Sequence, residues 1–350
     1  MNQLLDQAVY SRASDLHITA GVPPIFRIDG QLVPTNHMIL NVNDTERLFK
    51  EISTPEQQQK FYEHGEIDFA YSVPGLSRFR VNAFHQRGSV AIAIRVINEK
   101  IPTLEELRHP RVVRALACQA RGGLVLVTGP AGSGKSTTLA AMINLINQER
   151  FCHILTLEDP IEFLHKHNKS IVNQREINTD TKSFANALRA ALREDPDVIL
   201  VGEMRDSETI ATVITAAETG HLVFATLHTG SAVQTINRII DAFPSYQQQQ
   251  IRIQLSLILQ GIIAQQLLPR IDQIGRVAAL EILIATPAVR NVIREGKIHQ
   301  LTSIIQTGAK VGMLTMDSAL QNLYRRGIIS YDEAIIRAID EENFASFANK

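Results

Sequence analysis

The chain has 350 residues, 45% hydrophobic and 20% charged, with a formal net charge of −1. That balance suits a globular protein of two domains and excludes an overall basic field for nucleic acid, leaving only a local patch open. No apolar run reaches the ~18 residues of a membrane span, two cysteines (Cys118 and Cys152) are too few for a four-cysteine zinc site, and the absence of Trp leaves little for base stacking. The start, MNQLLDQAVYSRASD, lacks the basic opening and apolar middle of a signal peptide, so a cytoplasmic location is expected. Residues 1–20 read as a helix, NQLLDQAVYSRA, and a short strand, DLHIT. GVPPIFRIDGQLVP reads as a loop and a hairpin turning at Asp29-Gly30. Residues 43–63 form one polar, helix-like stretch, and Asp68–Val73 a strand ending at Pro74-Gly75.

In SRFRVNAFHQRGSVAIAIRVI, Phe79, Val81 and Ala83 alternate with Arg78, Arg80 and Asn82. Beyond a turn near Gly88, Val90, Ile92, Ile94 and Val96 alternate with Ala91, Ala93 and Arg95. Period two on both sides of a turn predicts two paired strands. Arg80 and Arg95 fall on the less apolar face, where they either lie in solvent or reach a triphosphate held by another domain. Residues 1–97 thus read as a small α+β domain. Residues 98–113, charged and with two prolines, read as a linker with a short helix that lets two domains swing, and 114–350 as the second domain.

That second domain is organised around GGLVLVTGPAGSGKST, Gly122–Thr137. Leu124–Val127 is an apolar strand, Gly129–Ser136 fits G-x-x-x-x-G-K-S, and TTLAAMINLINQ continues as a helix. Strand, glycine loop and helix together are what a phosphate-binding loop requires. Gly129, Gly132 and Gly134 let backbone N–H groups of Gly129, Ala131, Gly132, Ser133, Gly134 and their neighbours curl around phosphate oxygens, with Pro130 and Thr137 framing the loop. The helix adds its positive N-terminal end. Lys135 is expected to reach the β- and γ-phosphates, and the Ser136 hydroxyl to ligate Mg²⁺. A nucleoside triphosphate, ATP by family precedent below, is the expected ligand.

Further strands end in acids. His153–Leu157 runs into Glu158-Asp159-Pro160, and Asp197–Val201 into Gly202-Glu203. Carboxylates at the C-terminal ends of parallel strands lie beside such a loop, where they hold a metal's water shell or orient the attacking water. Asp159-Pro160 reads equally as a turn, and Gly202 stands where the usual terminal Asp would be. TKSFANALRAALRE, 181–194, is an amphipathic helix with Arg189 and Arg193 on a second face. Ser207–Thr219 is a helix, and GHLVFATLHTG a strand flanked by His221 and His228, one of which is expected near the γ-phosphate. Helices are expected at 231–242 and 246–268, a strand at 276–284, helices at 286–295, 297–306, 315–326 and 331–340, and a frayed tail, ENFASFANK.

These motifs together resemble the type IV pilus retraction ATPases, the PilT-like branch of the secretion ATPases. The likeness runs from ASDLH at Ala13–His17 to the helices near 326: GPAGSGKST, LEDPIEF at Leu157–Phe163, REDPDVILVGEMRD at Arg193–Asp206, TGHLVFATLHT at Thr219–Thr229, and AVRNVIRE at Ala288–Glu295, where Val289 and Val292 replace the family's Ile and Leu. The resemblance implies a RecA-like α/β ATPase domain preceded by a PAS-like α+β domain, in a homo-hexameric ring with ATP and Mg²⁺ between the domains. It implies that Arg80 and Arg95 swing onto the phosphates, that Glu158 and Glu203 act on water and metal, and that His228, rather than His221, senses the γ-phosphate. It also implies a cytoplasmic motor held at the inner membrane by the pilus platform protein, with a paralogous motor as a further partner. A nucleic-acid translocase is disfavoured by the charge balance, so no nucleic acid is expected. Two further alternatives stand beside it. One is an extension or type II secretion ATPase, whose four-cysteine insertion is absent here. The other is an accessory PilU-like subunit, which the long tail SYDEAIIRAIDEENFASFANK suggests.

Overall fold

The computed structural model describes all residues except 29, 98, 99, 120, 121, 273, 274, 349 and 350. Asp29 of the expected Asp29-Gly30 turn and the first two linker residues therefore lie outside the described residues. The chain divides into two compact units, Met1–Lys100 with Glu162–Leu164, and Ile101–Ile161 with His165–Lys350.

The first unit is a six-stranded antiparallel sheet. Its strands are β1 (Asp15–Ile18), β2 (Ile25–Ile28), β3 (Gln31–Pro34), β4 (Glu66–Val73), β5 (Ser77–Gln86) and β6 (Ser89–Ile97), ordered β3-β2-β1-β6-β5-β4. The expected alternation holds on β5: Phe79, Val81 and Ala83 are fully buried, whereas Arg80 is exposed. Phe49 and Phe61 from the helices pack with Phe79 and Val81 in one core. The polar stretch expected as one helix is two, Val42–Ile52 and Pro55–His64. Pro55 cannot continue a helix but starts one well, and Thr54 caps the new start reciprocally with Gln57.

The second unit is a seven-stranded sheet: β7 (Gly123–Thr128), β8 (His153–Glu158), β9 (Ile171–Glu176), β10 (Val198–Val201), β11 (Leu222–Leu227), β12 (Leu259–Pro269) and β13 (Arg276–Ile284), ordered β13-β12-β7-β11-β10-β8-β9. All neighbours are parallel except the β12–β13 pair. Leu124 and Leu126 face one apolar cluster and Val125 and Val127 another, so β7 is buried on both sides, as parallel sheets require.

Two expectations fail here. The helix expected over 246–268 is a helix only at Ser245–Ile258, and the rest is β12. Gly261-Ile262-Ile263-Ala264 is apolar on both faces, and such a run has no period to separate a buried strand from a buried helix. Gly261 fits where a Cβ would meet a Leu116 methyl at 2.8 Å and the Leu283 carbonyl oxygen at 3.0 Å. The tail is not frayed either. Glu341–Ala348 is a helix whose Phe344 is fully buried against Tyr324 and Tyr331.

Candidate active site

β7 ends at the C-terminal edge of the sheet, and the chain turns back at Gly129 into the helix Lys135–Glu149. Gly129, Gly132 and Gly134 have φ of +145°, +74° and +87°, values that favour glycine. The loop is also tight. A Cβ at Gly129 would meet the Gln265 carbonyl oxygen at 2.3 Å, and one at Gly134 the Gln265 amide at 2.8 Å. Lys135 is buried, and its ammonium donates to the Gly129 and Pro130 carbonyls at 2.9 Å each. Ser136 and Thr137 follow, half-buried. Gly134, as N-cap, offers no side chain to the first N–H groups of the helix. The Ser133 hydroxyl is buried with no hydrogen-bond partner among the described residues. Uncapped N–H groups, a lone buried hydroxyl and a buried ammonium make a cradle for a polyanion.

The wall behind the loop comes from β12, which the motif does not include. Gln265 is buried, donates from Nε2 to the Ser133 carbonyl at 2.7 Å, and accepts from the Thr138 hydroxyl at 2.8 Å. That hydroxyl spends its one proton on Gln265, so His109 Nε2, at 2.9 Å, must donate to it. That bond places a proton on His109 Nε2, and burial pushes the pKa of the ring down to about 4. Arg108, His109, Thr137, Leu267, Arg270 and Arg276 line a cleft of about 290 Å³ beside the start of the loop helix.

The acids expected at strand ends lie at the ends of β10 and β8, two and three places across the sheet from β7. Glu158, at the end of β8, accepts from the Thr156 hydroxyl at 2.6 Å and from the Gln174 amide at 3.2 Å. Gly202 follows β10 with its N–H on the Leu157 carbonyl at 2.8 Å. A Cβ there would meet the Leu157 oxygen at 3.1 Å and Glu158 Cα at 3.3 Å, which explains glycine where an acid was expected. Thr226 on β11 donates its hydroxyl to the Gly202 carbonyl and so ties that turn to the next strand.

Glu203 is brought together with His228: His228 Nε2 lies 3.2 Å from Glu203 Oε1. Arg205 Nε donates to the other oxygen, Oε2, at 2.8 Å. That bond, with the nearby charge of Asp159 as a weaker contribution, raises the Arg205 pKa. Arg205 was not singled out from sequence, because an exposed arginine after a strand has no distinguishing pattern. His221 lies at the opposite end of β11, where its Nδ1 meets the Ala216 carbonyl at 2.9 Å. A strand of this length puts the two histidines roughly 20 Å apart. Arg80 and Arg95 are directly opposed on β5 and β6, each beside an acid, Asp68 at 3.6 Å and Asp15 at 3.0 Å. Arg189 pairs with Glu208 at 2.7 Å. Among the described residues no group of three or more His, Cys, Asp or Glu could hold a metal by itself, and no helix is long and apolar enough to cross a membrane.

The family model described as Type II/IV secretion system protein matches residues 1–327. The chain is 50% identical to the type IV pilus retraction ATPase PilT of Pseudomonas aeruginosa, over 98% of this chain and 99% of that one. It is 44% identical to the type IV pilus ATPase PilU of the same organism, over 96% and 88%. A crystal structure of the pilus retraction motor PilT with bound ADP superposes with a TM-score of 0.92 at 51% identity, covering 97% of each chain. With its phosphate-binding loop and the acids on adjoining strand ends, the chain belongs to the type II/IV secretion system protein family and is an ATPase of its pilus retraction branch.

Proposed function

We propose that the chain is the motor ATPase that drives type IV pilus retraction, working as a homo-hexameric ring. The observation that carries this reading is the meeting of Glu203 and His228 at 3.2 Å, past the ends of the adjacent strands β10 and β11, of which β11 neighbours the phosphate-binding strand. The 50% identity to a retraction ATPase supports it. The nucleotide is ATP, since the related motor holds ADP. Its phosphates take the loop Gly129–Ser136 and the Lys135 ammonium, and its base and ribose the cleft beside Arg108, Thr137 and Arg276.

Mg²⁺ would be held by the Ser136 hydroxyl together with phosphate oxygens, and it would neutralise charge on the transferring group. A hydroxyl at the head of the loop helix fits that hard cation. Glu203 orients the attacking water and takes its proton. Arg205 and His228 each engage one of its oxygens, so the carboxylate is aimed rather than free to rotate. His228 reports the γ-phosphate to the loop that follows it, and Glu158 serves the metal's water shell. Arg80 and Arg95 close onto the phosphates, and loss of the γ-phosphate removes those charge-assisted contacts and lets the domains reopen about the segment that joins them. The motion is applied to the platform protein of the pilus, with the ring cytoplasmic and peripheral to the inner membrane. A PilU-like accessory role is the second reading, on the 44% identity to PilU.

ATP turnover by the purified chain is the test, run beside Glu203→Gln and with molar mass measured in ATP and Mg²⁺. A hydrolysing hexamer, slowed on the order of 100-fold or more in the variant, is expected. A hexamer that binds ATP without turnover selects the accessory reading. Full activity in Glu203→Gln removes Glu203 from the chemistry.

A further inference from the structure

We infer that Glu281 is a positioning residue, which sets where His228 lies by holding the start of the helix that follows it. The inference rests on the reading of His228 above. Glu281 lies on β13, 6% exposed, and no part of the mechanism uses it. Its Oε1 accepts the Ala232 backbone N–H at 2.8 Å. Ala232 is the first residue of the ten-residue helix Ala232–Asp241. That helix has its own cap, Ser231, whose hydroxyl accepts the Gln234 N–H. The cap serves the third N–H of the helix and leaves the first one open, and Glu281 takes it. The buried carboxylate thus receives a positive helix end, which offsets the cost of burying it. Burial, with the nearby Asp317 charge, raises its pKa, while the Ala232 N–H bond opposes that shift.

The link to His228 is short. Only Thr229, Gly230 and Ser231 separate it from Ala232. Two of these are tied to the same helix: the Thr229 hydroxyl meets that of Thr235 at 2.7 Å, and the Gly230 N–H donates to Gln234 at 3.1 Å. The loop therefore moves with the helix, and the helix start is pinned by Glu281. His228 stands 3.2 Å from Glu203, at the long end of a hydrogen bond, so a small displacement of the helix breaks that contact. An apolar residue at 281 would leave the Ala232 N–H with no acceptor.

The experiment is a double-mutant cycle on ATP turnover by the full chain, using Glu281→Gln, His228→Ala and both together. Glu281→Gln keeps the size of the side chain but not the charge that faces the helix start. It is expected to lower kcat roughly tenfold and to change KM for ATP less than about twofold. In the His228→Ala background it is expected to change kcat less than about twofold, because what it positions is gone. Equal losses in both backgrounds, or a wild-type kcat in Glu281→Gln, would overturn the inference. Glu281→Asp, charged but one methylene shorter, carries the same cycle if the glutamine variant does not fold. Failure of both to fold makes Glu281 a stability element and also overturns it. A wild-type rate in His228→Ala alone is different: it refutes the reading of His228, and the inference goes with it.

Discussion

At Gly202 a side chain would press on the backbone of β8. The atoms a Cβ would meet belong to Leu157 and Glu158, and backbone cannot rotate aside. Gly202→Ala is expected to cost about 1–3 kcal/mol in urea unfolding and to slow turnover as well, since Glu158 and Glu203 flank the contact. Gln265 has the opposite problem, a side chain that cannot be removed. Gln265→Leu leaves the Ser133 carbonyl and the Thr138 hydroxyl short of a partner in a buried place. A loss of about 1–3 kcal/mol per orphaned group is expected, with weaker ATP binding in a titration because the loop loses its wall. The buried histidines give a pH dependence with a definite sign. Burial lowers His109 and His165 from 6.5 to about 4. The unfolded chain therefore binds these protons first. Stability from this source is complete above pH 6.5 and declines as pH falls toward 4, by up to about 1.4 kcal/mol per pH unit for each histidine. A series of melting temperatures across that range is expected to fall, and less steeply in His109→Gln.

At the scale of elements, the tail helix Glu341–Ala348 docks mainly through one buried ring. Phe344 is fully buried among Tyr324, Tyr331 and the apolar residues of Met316–Arg325. Phe344→Ala is expected to cost about 3–5 kcal/mol locally. Hydrogen exchange should then rise over 316–348 while β7 and β11 stay protected. This helix and β12 are two elements that the sequence misassigned, and for different reasons. In ENFASFANK two phenylalanines among polar residues look like an exposed end, because the tyrosines that cover Phe344 are about ten and twenty positions upstream. In β12 the apolar residues face both ways, so neither period appears. Elements with one wet face, such as β5 with Arg80 out and Phe79 in, were legible from alternation alone.

At the scale of the molecule, the placement of residues on contiguous stretches was legible and the contacts assembled across the sheet were not. The loop Gly129–Ser136, Glu158 and Glu203 could be placed at strand ends because a strand delivers them in a fixed local order. Gln265 could not, since it meets Ser133 from 132 positions away. Arg80 and Arg95 show a further limit. Their strand positions were readable, but each is about half-exposed or more and paired with an acid, which is also how a plain surface arginine looks. Arg80→Ala and Arg95→Ala separate the two: both are expected to leave the melting temperature nearly unchanged while lowering kcat, which a surface role would not do.

The position of β7 in the sheet has one more consequence, for the growing chain. Its two neighbours are β11 and β12, and these are made long after it. The phosphate loop leaves the ribosome with no strand on either side, and its wall is complete only when residue 269 has followed. Until then the loop has its sequence but not its shape. ATP therefore cannot guide the early steps of folding and stabilises only the finished sheet. A nascent chain halted before Leu259 would carry the whole phosphate-binding motif and bind no nucleotide.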